Sequence, residues 1–155
     1  MGRGLTAGSG LLAGVAGSGV MHAFRAIWEL AIDNQQGSGL YGLDHEADVK
    51  GARLVNAILS RKPLTEPEAA KLGMLLHYAL GAGLGFCYGL ASPYRRKRDW
   101  RHGAALGAAL WVFADWVPIS LSGIYAPVKK TFASHAGALA THVLFGMVVE
   151  RLVIH

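Results

Sequence analysis

The polarity pattern divides the chain into four long apolar stretches and one amphipathic stretch. The second apolar stretch contains no Asp, Glu, Lys or Arg from 72 to 94. A helix rising ~1.5 Å per residue over that length crosses a bilayer core of ~30 Å. The pattern therefore predicts an all-α integral membrane four-helix bundle, a single membrane domain over 1–155, with spans at about 5–32, 66–94, 102–125 and 131–153.

Small residues recur at every fourth position within these stretches. In the second stretch, Gly81, Gly85 and Gly89 follow Gly73 and His77 in one four-residue register. On a helix, this spacing places them in one narrow stripe. A stripe with few side chains lets two backbones approach closely, which is how membrane helices pack. We therefore predict helix packing through these residues: Gly73, Gly81, Gly85, Gly89, Gly107, Ala138 and Gly146.

The segment 44–61 has a different pattern. Val49, Ala52 and Val55 fall near one helical face, while charged residues lie elsewhere. This predicts an amphipathic helix in the first long loop, at the membrane surface or over the bundle. Thr65 followed by Glu68 matches a capping box, which predicts the start of the second span.

The third stretch repeats the register of the first. Four-residue steps lead from Gly10 to His22 in the first stretch, and from Gly103 to Asp115 in the third. The fourth stretch resembles the second in the same way. Residues 1–91 and 102–155 therefore look like two helical hairpins of similar design.

Composition supports a membrane protein and excludes some partners. The chain is 52% hydrophobic, with 21 glycines, and is 16% charged, against about 25% in soluble domains. Its formal charge is +5, but the basic residues concentrate at 95–98 and Arg101. Without a recognition helix or a basic aromatic strand, this charge does not predict nucleic-acid binding. The positive-inside rule instead places this loop and both termini on the cytoplasmic side of a multi-pass membrane protein.

Ionisable residues lie at similar depths in the predicted spans. His22, His77, Asp115 and His142 fall in a layer roughly 10 Å thick, between the midplane and the outer surface. Each lies on the small-residue stripe of its helix. Because a carboxylate in hydrocarbon costs at least ~2.5 kcal/mol, Asp115 is expected to be paired. We predict an intramembrane polar cluster of these four residues, with secondary members Arg25, Glu29, His135 and Glu150.

Each of these residues also has a structural interpretation. A histidine in a membrane bundle is more often a hydrogen-bond donor between helices than a ligand. For Asp115, structural and functional roles are equally balanced. The sequence shows no nucleophile–base pair and no phosphate-binding loop, so an enzyme is the weakest interpretation and no catalytic residue is predicted.

Several short motifs resemble one protein family. They are GLLAGV with Trp28-Glu29 after it, His77 followed by a helix ending FCYG, Pro118 with SGIYAPV behind it, and His142 with Glu150-Arg151. Together they resemble the YagU-like family of inner-membrane proteins, over most of the four predicted spans. The resemblance implies a bacterial cytoplasmic-membrane protein of unknown biochemical function, and it supplies no catalytic residues. The amphipathic segment 44–61 has no counterpart in it.

Three functions remain open at this point. The first is an accessory or structural subunit that meets the lipid bilayer and docks a membrane-protein partner or a second copy of the chain. The second is a proton or metal-ion relay through the polar cluster. The third is a membrane protein that binds haem b, with His77 and His142 as axial ligands. The cofactor would then be haem b, or a divalent metal in the second case. We favour the accessory role narrowly.

Overall fold

The chain folds into helices throughout the residues that the computed structural model describes, which are 3–32, 40–59, 62–92, 99–122 and 132–153. The five helices are α1 (Arg3–Ile32), α2 (Leu40–Leu59), α3 (Glu66–Ala91), α4 (Trp100–Ser122) and α5 (Phe132–Leu152). The predicted all-α class is confirmed for this part of the chain. Helix α2 occupies the segment in which an amphipathic helix was predicted.

Helix α3 begins at the predicted capping box. The backbone N–H of Thr65 donates to Glu68 Oε2 at 2.9 Å, and the Thr65 hydroxyl contacts the same oxygen at 2.8 Å. Pro67 lies in the first turn, where its missing N–H leaves no helical hydrogen bond unmade. These local interactions explain why the start of α3 is readable from the sequence.

Helices α1 and α3 pack with their backbones in contact. A Cβ atom at Gly14 would overlap the carbonyl oxygen of Gly81, and a Cβ at Gly10 would overlap that of Gly85. Further along, a Cβ at Gly89 would overlap the Thr6 carbonyl oxygen. Since residue numbers rise along α1 as they fall along α3, the two helices are antiparallel.

Helices α4 and α5 form a second antiparallel pair of the same kind. A Cβ at Gly103 would lie 2.5 Å from the Gly146 carbonyl oxygen, and one at Gly107 would overlap the His142 carbonyl. The small-residue stripes therefore pack two by two and do not converge on one central axis. Helix α1 joins the pairs by packing against α5, around larger buried side chains: Ala13, Met21, Tyr88, Phe145, Val149 and Val153.

Helix α2 packs mainly against the first half of α3, as an antiparallel hairpin. A Cβ at Gly73 would lie 2.7 Å from the carbonyl oxygen of Asp48. Near the turn, Arg53 Nη2 and Glu66 Oε2 are 2.5 Å apart. The sequence predicted α2 either at the membrane surface or over the bundle, and the structure places it over the bundle. We call the end of the bundle that it contacts the α2 end.

Two helices are long and apolar enough to cross a membrane by length and composition, over Thr6–Trp28 and Glu66–Ala91. Among the described residues, the membrane prediction is supported to this extent. That these two helices cross a bilayer, and that α4 and α5 cross it with them, stays a prediction.

Candidate functional site

Two histidines predicted to belong to the polar cluster lie against each other at the α2 end. His22 of α1 and His77 of α3 have ring centroids 4.9 Å apart, with the planes tilted by 46°. Tyr78 lies beside them, its ring centroid 5.4 Å from that of His22. The α1–α3 packing described above brings these rings together, because both histidines continue the glycine registers of their helices.

A carboxylate from α2 completes this group. Asp48 Oδ1 lies 3.8 Å from His77 Nδ1. The predicted cluster did not include Asp48, because only the docking of α2 on α3 brings it to His77. The sequence pattern had placed the charged residues of this segment away from its apolar face, although Asp48 lies one turn before Ala52, which the structure buries completely. We call Ser18, His22, Arg25, Asp48 and His77 the imidazole cluster.

Arg25 is buried in the same region, with 5% of its surface exposed. Its charge and the imidazole of His22 act electrostatically on the His77 ring. A buried guanidinium is expected to have polar or charged partners. Arg25 does interact with other groups of the structure. The predicted partner Glu29 has its side chain outside the described residues.

His142 has a local hydrogen bond. Its Nδ1 lies 2.8 Å from the carbonyl oxygen of Ala138, one turn earlier on α5. His142 also acts electrostatically on His77, so it belongs to the same region of the bundle. Of the four predicted members, His22 and His142 therefore both lie within electrostatic range of His77.

Two further predicted members, Asp115 and His135, lie on α4 and α5. Asp115 lies in α4, but its side chain falls outside the described residues. His135 is exposed on α5, with its ring edge-on to Trp111 at a centroid distance of 6.5 Å. That His135 belongs to the polar cluster stays a prediction.

A second polar group lies at the opposite end of the bundle. Glu150 of α5 is 2% exposed and accepts a hydrogen bond from the Tyr88 hydroxyl of α3. Its other oxygen accepts the backbone N–H of Asp99 at 3.1 Å. Asp99 in turn caps α4, because its side chain accepts the Arg101 N–H at 3.0 Å. We call Tyr88, Asp99 and Glu150 the Glu150 clasp.

An apolar layer separates the two polar groups. The Phe145 ring lies at the level of Gly17 and Gly81, where a Cβ on Gly17 would be 2.7 Å from Phe145 Cδ2. The same ring is part of the buried core with Ala13 and Met21. The Phe145 ring and its apolar neighbours therefore lie between the imidazole cluster and the Glu150 clasp.

The imidazole cluster can exchange protons, since an imidazole beside a carboxylate can hold or pass one. The imidazole cluster is less suited to binding a metal ion than to exchanging protons. Among the described residues, no three His, Cys, Asp or Glu side chains are arranged so that they could hold a metal ion.

Comparisons of the chain with protein-family models, with curated proteins and with solved structures gave no match. The resemblance to the YagU-like family therefore stays a prediction from the short motifs.

Proposed function

We propose that this protein is a small accessory subunit of the bacterial inner membrane, in which α1, α3, α4 and α5 cross the bilayer. The supporting observation is that large apolar side chains lie on the surface while ionisable side chains are buried, which is the reverse of a soluble protein. Leu12, Leu75 and Leu80 are 69%, 65% and 67% exposed, whereas Arg25 and Glu150 are almost completely buried.

This distribution is unfavourable in water. Exposed apolar surface costs about 25 cal/mol per Å², and buried charges lose their hydration. In hydrocarbon the same arrangement is favourable. Lipid accepts leucine side chains on the surface, and ionisable groups are better placed against protein than against lipid. The outer surface of α1 and α3 therefore fits lipid better than water.

The accessory role follows from what the polar groups do. The Glu150 clasp joins α3, α5 and the start of α4, and the Asp48–His77 contact joins α2 to α3. Buried polar groups that connect helices stabilise one arrangement of a bundle. We propose that this bundle presents a fixed surface to a membrane-protein partner or to a second copy of the chain.

Membrane integration is tested first. Cells expressing the chain are lysed and their membranes washed with alkaline carbonate, which removes peripheral proteins. The chain is expected to stay in the pellet and to float with lipid after reconstitution. Recovery in the wash would contradict the proposed membrane span.

The accessory role needs a second experiment. Deletion of the gene is expected to lower the steady-state amount of one membrane complex that cross-links to the chain in stoichiometric amounts. Wild type and His77→Asn should both restore that amount, since a structural subunit does not need the imidazole for chemistry. Failure of His77→Asn to restore it, with normal protein levels, would contradict the accessory role.

The structure does not favour the haem alternative. An axial ligand needs open space for the porphyrin at its Nε2 atom. At His77, the ring of His22 lies 4.9 Å away, and the neighbouring α1–α3 seam is closed by backbone contact at Gly14 and Gly81. We therefore do not propose haem binding at His77 and His142.

A further inference from the structure

The Ser18 hydroxyl differs from three other hydroxyls of the described helices. Those of Ser9, Ser92 and Thr141 each donate to a carbonyl oxygen of their own helix, at 2.9, 2.9 and 2.6 Å. Ser18 is only 1% exposed, yet its Oγ has no hydrogen-bond partner among the described residues. A helical serine normally satisfies its hydroxyl within its own helix, so Ser18 must be turned towards something else.

Ser18 points into the α1–α3 seam beside His77. A Cβ on Gly81 would overlap the Ser18 Oγ. Because Cβ atoms of a helix tilt towards its N-terminus, the hydroxyl lies on the side of Gly81 that faces His77, one turn earlier. His77 Nε2 is also buried without a hydrogen-bond partner among the described residues. His22, one turn after Ser18 on α1, places its ring against His77.

Buried polar atoms of this kind usually bind water. A buried water makes about three hydrogen bonds to groups that protein atoms do not satisfy. The Ser18 hydroxyl both donates and accepts, and an imidazole nitrogen does one or the other. The Ser18 hydroxyl and His77 Nε2 therefore supply two of the partners that one water needs, with the His22 ring beside them.

We infer that Ser18 and His77, beside the His22 ring, form a binding site for an ordered water, which exchanges protons with solvent at the α2 end through Asp48. Asp48 is the entrance, since its side chain is 27% exposed while that of His77 is 16% exposed. A solvent proton on Asp48 reaches His77 Nδ1, 3.8 Å away, through one intervening water. The imidazolium then donates its Nε2 proton to the bound water, which returns one of its other protons to Nε2. Only N–H and O–H bonds change, and the return path is the reverse.

The site opens to one side only. The Phe145 ring at the level of Gly17 and Gly81 closes it towards the Glu150 clasp. Bound protons therefore enter and leave at the α2 end and do not cross the bundle. The charged or titratable groups around His77 are His22 and Arg25 on α1, Asp48 on α2, Tyr78 on α3 and His142 on α5.

Solid-state NMR of the chain in lipid bilayers, with ring-¹⁵N histidine, tests the bound water directly. The His77 signal is identified by its loss in His77→Asn. We expect magnetisation to pass from water to the His77 ring in wild type and in Ser92→Ala, and to fall about threefold or more in Ser18→Ala. Ser92 is the matched control because it is equally buried and bonds its own helix. No transfer of magnetisation from water to the His77 ring in wild type, or equal transfer in Ser18→Ala and wild type, would overturn the inference.

The entrance is tested by the rate at which the His77 ring N–H protons exchange with solvent. Asp48→Asn is expected to slow this exchange about tenfold, because an amide side chain cannot carry a proton from solvent towards Nδ1. Glu66→Gln, which changes a carboxylate paired with Arg53, should leave it unchanged. No change in Asp48→Asn, or proton flux across sealed liposomes, would contradict a one-sided site.

This inference rests on the proposed membrane embedding, and different experimental results would contradict the inference and the proposed function. A chain that does not float with liposomes contradicts the proposed function. A chain that floats but shows no water at His77 contradicts the inference alone.

Discussion

At the scale of single residues, the space beside each glycine decides what a substitution does. Gly85 and Gly83 lie two positions apart on α3, so they face opposite sides of the helix. A Cβ on Gly85 would overlap the Gly10 carbonyl oxygen and lie 2.8 Å from the Gly14 Cα. A Cβ on Gly83 would meet nothing within 4 Å.

We expect Gly85→Ala to lower the free energy of unfolding by about 1–3 kcal/mol, because backbone cannot move aside as a flexible side chain can. Gly83→Ala should change it by less than about 1 kcal/mol, or stabilise the helix slightly. Reversible unfolding in mixed micelles, followed by circular dichroism, measures both. Equal stability of the two variants would show that the α1–α3 seam is not in backbone contact.

The Glu150 clasp gives a second prediction at this scale. Tyr88→Phe should destabilise the protein by about 1–3 kcal/mol, because a buried carboxylate oxygen loses its donor. Glu66→Gln is the control, since its pair with Arg53 is exposed and such pairs contribute about 0–1 kcal/mol. The same unfolding assay applies, and a Tyr88→Phe effect no larger than that of Glu66→Gln would contradict a buried clasp.

At the scale of elements, α2 is attached to the bundle by small buried residues. Ala52 of α2 and Ala69 of α3 are both fully buried, and Asp48 packs on Gly73 one turn away. The contact is close because neither helix presents a large side chain there. Helix α2 covers the imidazole cluster only while this contact holds.

Ala52→Leu should therefore detach α2 without unfolding the other helices. Amide hydrogen exchange over 40–59 is expected to become at least about tenfold faster, while exchange in α5 stays unchanged. Ala57→Leu is the matched control, because Ala57 is exposed on the same helix. Unchanged exchange in Ala52→Leu would show that α2 does not depend on this contact.

At the scale of the whole molecule, the side chains on the surface determine whether the protein is better surrounded by water or by lipid. Large apolar side chains cover the outside of α1 and α3, and a soluble protein rarely exposes so large an apolar surface. Cys87, the one cysteine of the chain, lies exposed on α3 within this surface. Its reactivity therefore reports which solvent it meets.

In membrane fragments open to reagent on both sides, Cys87 should react with a charged maleimide at least about tenfold more slowly than after detergent denaturation. A charged reagent does not enter the hydrocarbon core, so a thiol that faces lipid is protected from it. A cysteine placed at exposed position 57 of α2, in a Cys87→Ser background, is expected to react quickly in the same fragments. Equal rates at the two positions would contradict lipid contact at Cys87.

Local patterns determined the elements of this protein. Each helix was predicted to within a few residues, and the start of α3 was predicted from Thr65 and Glu68, because capping and periodicity depend on neighbours in the chain. The glycine registers also predicted which face of α1 and α3 packs, since a four-residue step defines one side of a helix.

Which residues meet across helices was decided only by the tertiary structure. Asp48 reaches His77, Ser18 turns into the seam and Tyr88 covers Glu150 because of how α2, α3 and α5 are placed relative to one another. The sequence pattern gives the face of a helix but not its neighbour, so four similar stripes leave several pairings open. Backbone packing between glycines selects one pairing, and that choice places the polar groups.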